Sequence, residues 1–368
     1  MLKVINVVGA RPNFMKMAPI IEAMSRHPDR IRQQLVHTGQ HYDERMSKSF
    51  FVDLGMPKPD IDLEVGSGSH AEQTARVMVE FEKVCLRESP DLVIVVGDVN
   101  STMACTITAK KLGIRVAHVE AGLRSRDITM PEEINRLCTD VLCDYLFTTD
   151  YLANQNLLSE GIPQEKIIFV GNVMIDTLLK HKSLAQGIGL IDQWQLKPRG
   201  FATLTLHRPS NVDDPAILRG ILEALNEVAR EIPVIFPIHP RTRKMVEQFG
   251  YGHYFSDSEK PQGLWLTDPL GYLELLHLNM NARMVITDSG GLQEETTVLG
   301  VPCITLRHNT ERPITCEVGT NTVVGNDQHV ILKHANLILK GNFPQGKVPD
   351  KWDGKAAERI VEYLCNLP

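Results

Sequence analysis

Residues 284-MVITDSGGLQEETTVLG-300 run from an apolar stretch that stops at Asp288, through a Ser-Gly-Gly turn, into a segment of helical character carrying Glu294 and Glu295. A strand that gives way to a helix across so short a turn is the unit from which parallel sheets are built. On these residues alone the pair Gly290–Gly291 has two readings. Glycine tolerates positive φ, so the pair serves a tight strand-to-helix connection. Alternatively, its bare backbone and the helix N-terminus behind it cradle an anion that a Cβ would keep away.

Working outward, the same pattern recurs along all 368 residues. KVINVVG, RQQLVHTG, DLVIVVGD, RVAHVEAG, YLFTTD and IIFVGN alternate in the first half with amphipathic segments such as AEQTARVMVEFEKVCLRE; FATLTLHR, IPVIFPIHP, LWLTD, RMVITDSG and VPCITLR do so in the second. Strand and helix alternating without hairpin signals means parallel sheets covered on both faces. There are too many strands for one sheet, so the expected fold class is α/β, with two Rossmann-like, doubly wound domains facing a cleft. The boundary falls after GNVMIDTL, giving domains at 1–180 and 181–350. The closing helix-like stretch GKAAERIVEYLCN, in 351–368, can pack back on the N-terminal domain.

Composition narrows the function. A chain that is 43% hydrophobic and 23% charged is globular, and a net charge of −6 argues against broad binding to nucleic acid or an anionic membrane. The 7 cysteines show no CxxC pair and no zinc-like spacing, and several lie in apolar runs; buried thiols in a reducing compartment and no metal site are expected. The chain opens directly on a strand-like run with no leader pattern, and no apolar run is long enough to span a bilayer. The expectation is a cytoplasmic protein.

In parallel sheets the carboxyl ends of the strands meet the ligand. Those ends are polar here: GARPNFMK brings Arg11 and Lys16; DLVIVVGD brings Asp98, followed by a capping-type NST; RVAHVEAGLR brings His118, Glu120 and Arg124. In the second half His207 and Arg208, His239 and Arg241, and Asp288 and Ser289 end their strands. Arg11, Lys16, His207, Arg312 and the Gly290–Gly291 turn make a cationic, amide-rich set suited to a pyrophosphate. Asp98, Glu120 and Glu132 make a carboxylate set suited to proton transfer. Against this, Glu132 follows Pro131 at a helix start and stands four residues before Arg136, so a first-turn acid paired with Arg136 explains it equally. GSGSHA at 66–71 matches a dinucleotide fingerprint, but the acids beyond it, Glu88 and Asp91, precede the next strand instead of ending it, so it reads as a turn.

Taken in order, GARPNFMKMAPI, TGQH, AEQT, GDVNST, HVEAGLR, PEEINR, TLHR, TDSGGLQEE and TERP span nearly the whole chain. The sequence resembles the non-hydrolysing UDP-N-acetylglucosamine 2-epimerases. That resemblance implies the glycosyltransferase-B arrangement, with a UDP-binding second domain, a homodimer, no cofactor, and UDP-GlcNAc conversion to UDP-ManNAc for polysaccharide synthesis. It implies that Arg11, Lys16, Leu275, Ser289, Gly290, Gly291, Glu295 and Arg312 bind substrate, Glu295 through the ribose hydroxyls. It also implies that Asp98, Glu120, Glu132 and His207 are catalytic.

The C2 hydrogen of an N-acetylhexosamine has no adjacent carbonyl, so the family route is elimination. UDP leaves C1 as the C2 proton is lost, a 2-acetamidoglucal forms, and UDP adds back with protonation from the opposite face. Departures bear on the substrate: Asn13 stands where many members carry Glu, RPSNVD follows where many show Arg-Arg-Glu-Asn, and Asp43 replaces another polar residue of members activated by their own substrate. A 2-epimerase for a UDP-2,3-diacetamido uronic acid, or a hydrolysing 2-epimerase, are the alternatives. Further off stand a glycosyltransferase of the same architecture and a silent nucleotide-sugar sensor.

Overall fold

The computed structural model describes residues 1–39, 55–343 and 345–367, with the Arg11 side chain outside the described part. Gln40, His41 and Asp43 therefore lie outside the described residues. The chain divides into two compact units, Met1–Lys180 with Asp350–Pro368, and His181–Pro349.

In the first unit β1 (Leu2–Val8), β2 (Ile31–His37), β3 (Ile61–Asp62), β4 (Leu92–Val96), β5 (Arg115–Ala121), β6 (Tyr145–Thr148) and β7 (Ile167–Phe169) pair in the order β3-β2-β1-β4-β5-β6-β7. Every pairing is parallel. The crossovers are α1 (Arg11–Ser25), α2 (His70–Glu88), α3 (Asn100–Lys111), α4 (Pro131–Leu142) and α5 (Tyr151–Ser159). β4 is buried at every position, as a strand covered on both faces must be. Its Val93 and Val95 share a core with Val77 and Phe81 of α2 and with Ala104 and Cys105 of α3; burying each of the valines and the phenylalanine contributes roughly 1.5–3 kcal/mol. α2 starts where Ser69 accepts from the Glu72 amide and Glu72 reaches back to Ser69, so GSGSHA is a helix cap.

α6 (Val173–Gln186) carries the chain out of the first unit. In the second, β8 (Ala202–Thr205), β9 (Val234–Pro237), β10 (Leu264–Thr267), β11 (Met284–Thr287), β12 (Cys303–Thr305) and β13 (Asn321–Val323) form a parallel sheet of order β10-β9-β8-β11-β12-β13. Between and around them run α7 (Leu190–Gln193), α8 (Pro209–Val212), α9 (Pro215–Glu231), α10 (Pro240–Phe249), α11 (Tyr272–Asn281), α12 (Gly290–Leu299), α13 (Ile314–Glu317) and α14 (Gln328–Leu339). α9 shows why the segment is helical: Asp214 caps the amides of Ala216 and Ile217, Pro215 opens the first turn, and Leu218, Ile221, Leu222, Leu225 and Val228 bury one face.

The closing helix, α15 (Ala356–Cys365), belongs to the first unit and packs on α1. Lys355 gives it no side-chain cap. Asp176 of α6 supplies one instead, accepting from the amides of Ala356 at 3.1 Å and Ala357 at 2.7 Å.

In each sheet the strand order reverses once, between β1 and β4 and between β8 and β11. Such switch points are where open parallel sheets bind ligands, outside the strands' carboxyl ends.

Candidate active site

At the first switch point, Lys16 of α1 and Glu120 of β5 are both buried, 5% and 4% exposed, and form a direct ion pair. The structure thus joins two residues that the sequence places in different sets. Glu120 reaches Lys16 because its backbone is left-handed, φ 74°, at a register shift in β5 between Val119 and Ala121. A non-glycine residue held there costs about 1–3 kcal/mol, a strain found where a side chain must be aimed. Gly97, at the end of β4 with φ 69°, makes room: a Cβ on it would lie 3.2 Å from Lys16 Nζ and 3.5 Å from Glu120 Oε2. Asn13 braces the preceding loop, accepting from the Gly9 and Ala10 amides and donating to the Val96 carbonyl.

Asp98 sits one residue beyond Gly97, partly exposed, and receives Arg136 Nη1 at 2.5 Å. Arg136 lies inside the unit and also holds Glu133 at 2.5 Å. The expected Glu132–Arg136 pair is therefore corrected: the acid three residues before Arg136 takes it, and Glu133 further accepts from the amides of Ser125 and Arg126. These donors, Ser125 and Arg136 foremost, hold the Glu133 carboxyl below its usual range against the opposing effect of burial. Glu132 lies exposed in the first turn of α4, which leaves it accessible to a substrate. The NST after Asp98 does not cap: Val99 is the N-cap of α3, and Asn100 donates to Gln73 at 2.8 Å.

His118 and Arg124 are scaffold. His118 is fully buried, its Nδ1 2.6 Å from Asp140 and its Nε2 2.8 Å from the Gly97 carbonyl. Asp140 also takes Arg124 at 2.7 Å, and Arg124 continues to Glu160 at 2.6 Å. Burial opposes it, but the contacts with the His118 ring and the Arg124 guanidinium lower the Asp140 carboxyl below its ordinary value. The chain of contacts thus ends on the glycine that accommodates Lys16 and Glu120.

At the second switch point, Asp288 ends β11 fully buried and gathers His207: its carboxylate accepts from the His207 and Arg208 amides and lies 2.9 Å from His207 Nδ1. Burial would raise this carboxyl, but the histidine and the amides pull it below the ordinary range. His207 is half-exposed, and the Asp288 contact turns its Nε2 outward from the pair. The neighbouring His239 instead caps α10, its Nδ1 accepting from the Arg241 amide at 3.2 Å, while burial and His207 lower its pKa.

Ser289 is the N-cap of α12, yet its side chain makes no capping bond, so the amides of the first helical turn face no serine oxygen. Gly290 and Gly291 are already helical and absent from the left-handed positions, which corrects the turn reading of the pair. Gly290 is needed for space: a Cβ would stand 2.6 Å from Arg312 Nη1 and 2.7 Å from Glu311 Oε1. Arg312 is 6% exposed and held by Glu294 at 2.8 Å and Glu311 at 2.5 Å, and Glu311 also takes Arg307 at 2.7 Å. The next acid, Glu295, is buried with the Tyr272 hydroxyl turned towards it short of good hydrogen-bond geometry. Burial, aided by Glu294, pushes the Glu295 carboxyl up to about 8. Leu275 lies half-buried in α11.

Sequence reasoning does not reach Glu133, Asp140 or Glu311. Asp140 carries a signal, an acid inside the apolar run RLCTDVLC; Glu311 adjoins an arginine already chosen. Among the cysteines, Cys85, Cys105, Cys143 and Cys303 are buried, whereas Cys316 is exposed. Among the described residues no three His, Cys, Asp or Glu side chains are grouped to hold a metal, and no helix is long and apolar enough to cross a membrane. A groove between α1 and α15, lined by Arg26, Arg30, Glu358 and Val361, holds none of the expected site residues.

The chain is similar to known proteins over nearly its whole length. The family described as UDP-N-acetylglucosamine 2-epimerase matches residues 22–365. A UDP-N-acetylglucosamine 2-epimerase of Methanocaldococcus jannaschii is 43% identical over 372 residues, covering 99% of each chain. A UDP-2,3-diacetamido-2,3-dideoxy-D-glucuronate 2-epimerase of Pseudomonas aeruginosa is 41% identical over 372 residues, covering 100% of each. The crystal structure of the M. jannaschii UDP-GlcNAc 2-epimerase with UDP-GlcNAc and UDP superposes with a TM-score of 0.89 over 99% of both chains. That of Neisseria meningitidis bound to UDP-GlcNAc does so at 0.89, with 29% identity over 100% of both.

Proposed function

We propose, because the chain belongs to the UDP-N-acetylglucosamine 2-epimerase family, that it inverts C2 of UDP-GlcNAc to give UDP-ManNAc by elimination and re-addition of UDP. The C2–H bond gives its proton to a protein base, the C1–O bond breaks with its electron pair on UDP, and C1=C2 forms. Return of UDP to C1 and of a proton to the other face of C2 completes the inversion. No cofactor is needed for this balance.

The observation that carries the reading is the second switch point, where an uncapped ten-residue helix starting at Gly290, Arg312 and the Asp288-oriented His207 suit a leaving diphosphate. Ser289 and Gly291 belong to the same seat, Glu295 to the ribose and Leu275 to the base side of the nucleotide. Asp98, Glu120 and Glu132 are assigned to the hexose, with Glu132, the exposed acid, as the group that exchanges its proton. Arg11 and Lys16 keep their assignment to substrate, Lys16 by way of its pair with Glu120. Running the reaction in D2O and following it by NMR tests this: UDP-ManNAc carrying deuterium at C2 is expected without added NAD or metal. Unlabelled product, or free ManNAc as the sole sugar product, overturns the non-hydrolysing route.

A second substrate is favoured by the P. aeruginosa relative, which matches the chain as fully as the UDP-GlcNAc enzymes do. Parallel assays with UDP-GlcNAc and the UDP-2,3-diacetamido uronic acid decide between them through the ratio of kcat/KM. We also propose a homodimer in the cytoplasm. Val79 and Leu86 on α2 and Ile134 and Val141 on α4 stay exposed, each pair seven residues apart on one helix face, and light scattering tests the assembly.

A further inference from the structure

We infer that Glu311 is a positioning residue for nucleotide binding: its carboxylate, anchored by Arg307, holds the Arg312 guanidinium against the start of α12. The inference rests on the UDP reading of the second switch point and goes beyond it by assigning the group that places the phosphate-binding arginine.

Glu311 is 4% exposed and buried among cations. Arg307 Nη2 meets one oxygen at 2.7 Å and Arg312 Nη1 meets the other at 2.5 Å, so the carboxylate is fixed from both sides. A single carboxylate shared by two guanidiniums has little freedom to rotate without losing one of them. Its place is fixed again by the glycine, since the space a Cβ on Gly290 would take is bounded by Glu311 Oε1 and Arg312 Nη1. The loop is held from below as well. Thr310 Oγ1 donates to Gln293 Oε1 at 2.7 Å and accepts from the Arg312 amide at 3.0 Å, while Gln293 Nε2 donates to the Ser289 carbonyl at 3.2 Å. The Arg312 loop and the first turn of α12 are thereby bonded into one piece. A guanidinium set in place before the ligand arrives loses no side-chain entropy on binding, which is the advantage a dedicated carboxylate would confer.

The test compares binding of UDP and of uridine to the full chain. In the unmodified protein UDP binds more tightly than uridine. Glu311→Gln is expected to weaken UDP roughly tenfold or more, the scale of a charge-assisted hydrogen bond, with uridine changed less than about twofold. Combined with Arg312→Gln it should add nothing to the loss that Arg312→Gln causes alone. Should Glu311→Gln fail to fold, Glu311→Asp keeps the charge for Arg307 but draws back from Arg312, and the same selective loss of UDP is expected. Equal loss of UDP and uridine, no loss of UDP, or additive losses in the double variant overturns the inference while leaving the UDP reading intact. Failure of the unmodified chain to bind UDP overturns both.

Discussion

The two switch points hold charge at the ends of strands by different means. In the first unit the buried acids around the strand ends are paired with cations: Glu120 with Lys16, Glu133 with Arg136, and Asp140 with Arg124. In the second, two adjacent acids are treated differently. Arg312 serves Glu294, and among the described residues no cation reaches Glu295, which keeps its proton near neutral pH. Acids paired with cations suit a region whose geometry must not change as protons move; a neutral buried acid suits one that waits for hydroxyl groups to satisfy it. The glycines differ likewise. Gly97 is needed for its left-handed backbone as well as for space, Gly290 for space alone.

The largest expected effect concerns chemistry in the first unit. Glu120→Gln should lower kcat by roughly a hundredfold to ten-thousandfold while UDP affinity stays within about threefold. Equal loss of both would make Glu120 a scaffold residue and erase the division between the units. Next, Arg136→Met leaves Glu133 buried without its cation and should cost about 3–5 kcal/mol of stability, read by urea unfolding. A change under about 1 kcal/mol would show that the Ser125 and Arg126 amides alone suffice. Gly290→Ala places a methyl where Arg312 and Glu311 stand and should weaken UDP roughly tenfold with a small change in Tm; unchanged UDP binding would separate Arg312 from the nucleotide.

The smallest effect sharpens the contrast in protonation. Glu295 moves from an ordinary 4.5 to about 8 in the folded chain. Between those values the unfolded chain has lost the proton that the folded chain keeps, so stability falls as pH rises through that window and levels off above about 8. Tm measured without ligand from pH 5 to 9 should therefore decline less steeply in Glu295→Gln than in the unmodified chain. Parallel curves would mean that Glu295 ionises freely in the fold.

Much of this was legible in the sequence because long buried strands announce themselves. LVIVV of β4 and the amphipathic α9 could hardly be read otherwise. β3, of two residues, and β13, the triplet Asn-Thr-Val, are edge strands too short to show a period. The strand-end rule brought Asp98, Glu120, His207 and Asp288 to the switch points, but spacing alone could not choose between partners on a helix. Residues three and four before Arg136 lie on the same face, and the loop amides of Ser125 and Arg126 settle Glu133 in place. The fixed pairs Lys16–Glu120 and Arg312–Glu311 depend on chain segments far apart or on a loop's exact course, and no local pattern records them.

The return of α15 to the first unit sets an order of events during synthesis. Domains ordinarily complete themselves from the N-terminus as the chain leaves the ribosome. Here the stretch from His181 to Pro349 is wholly translated before Ala356 and Ala357 exist to meet Asp176. The later-made unit can therefore be finished first, while the earlier one waits for α15.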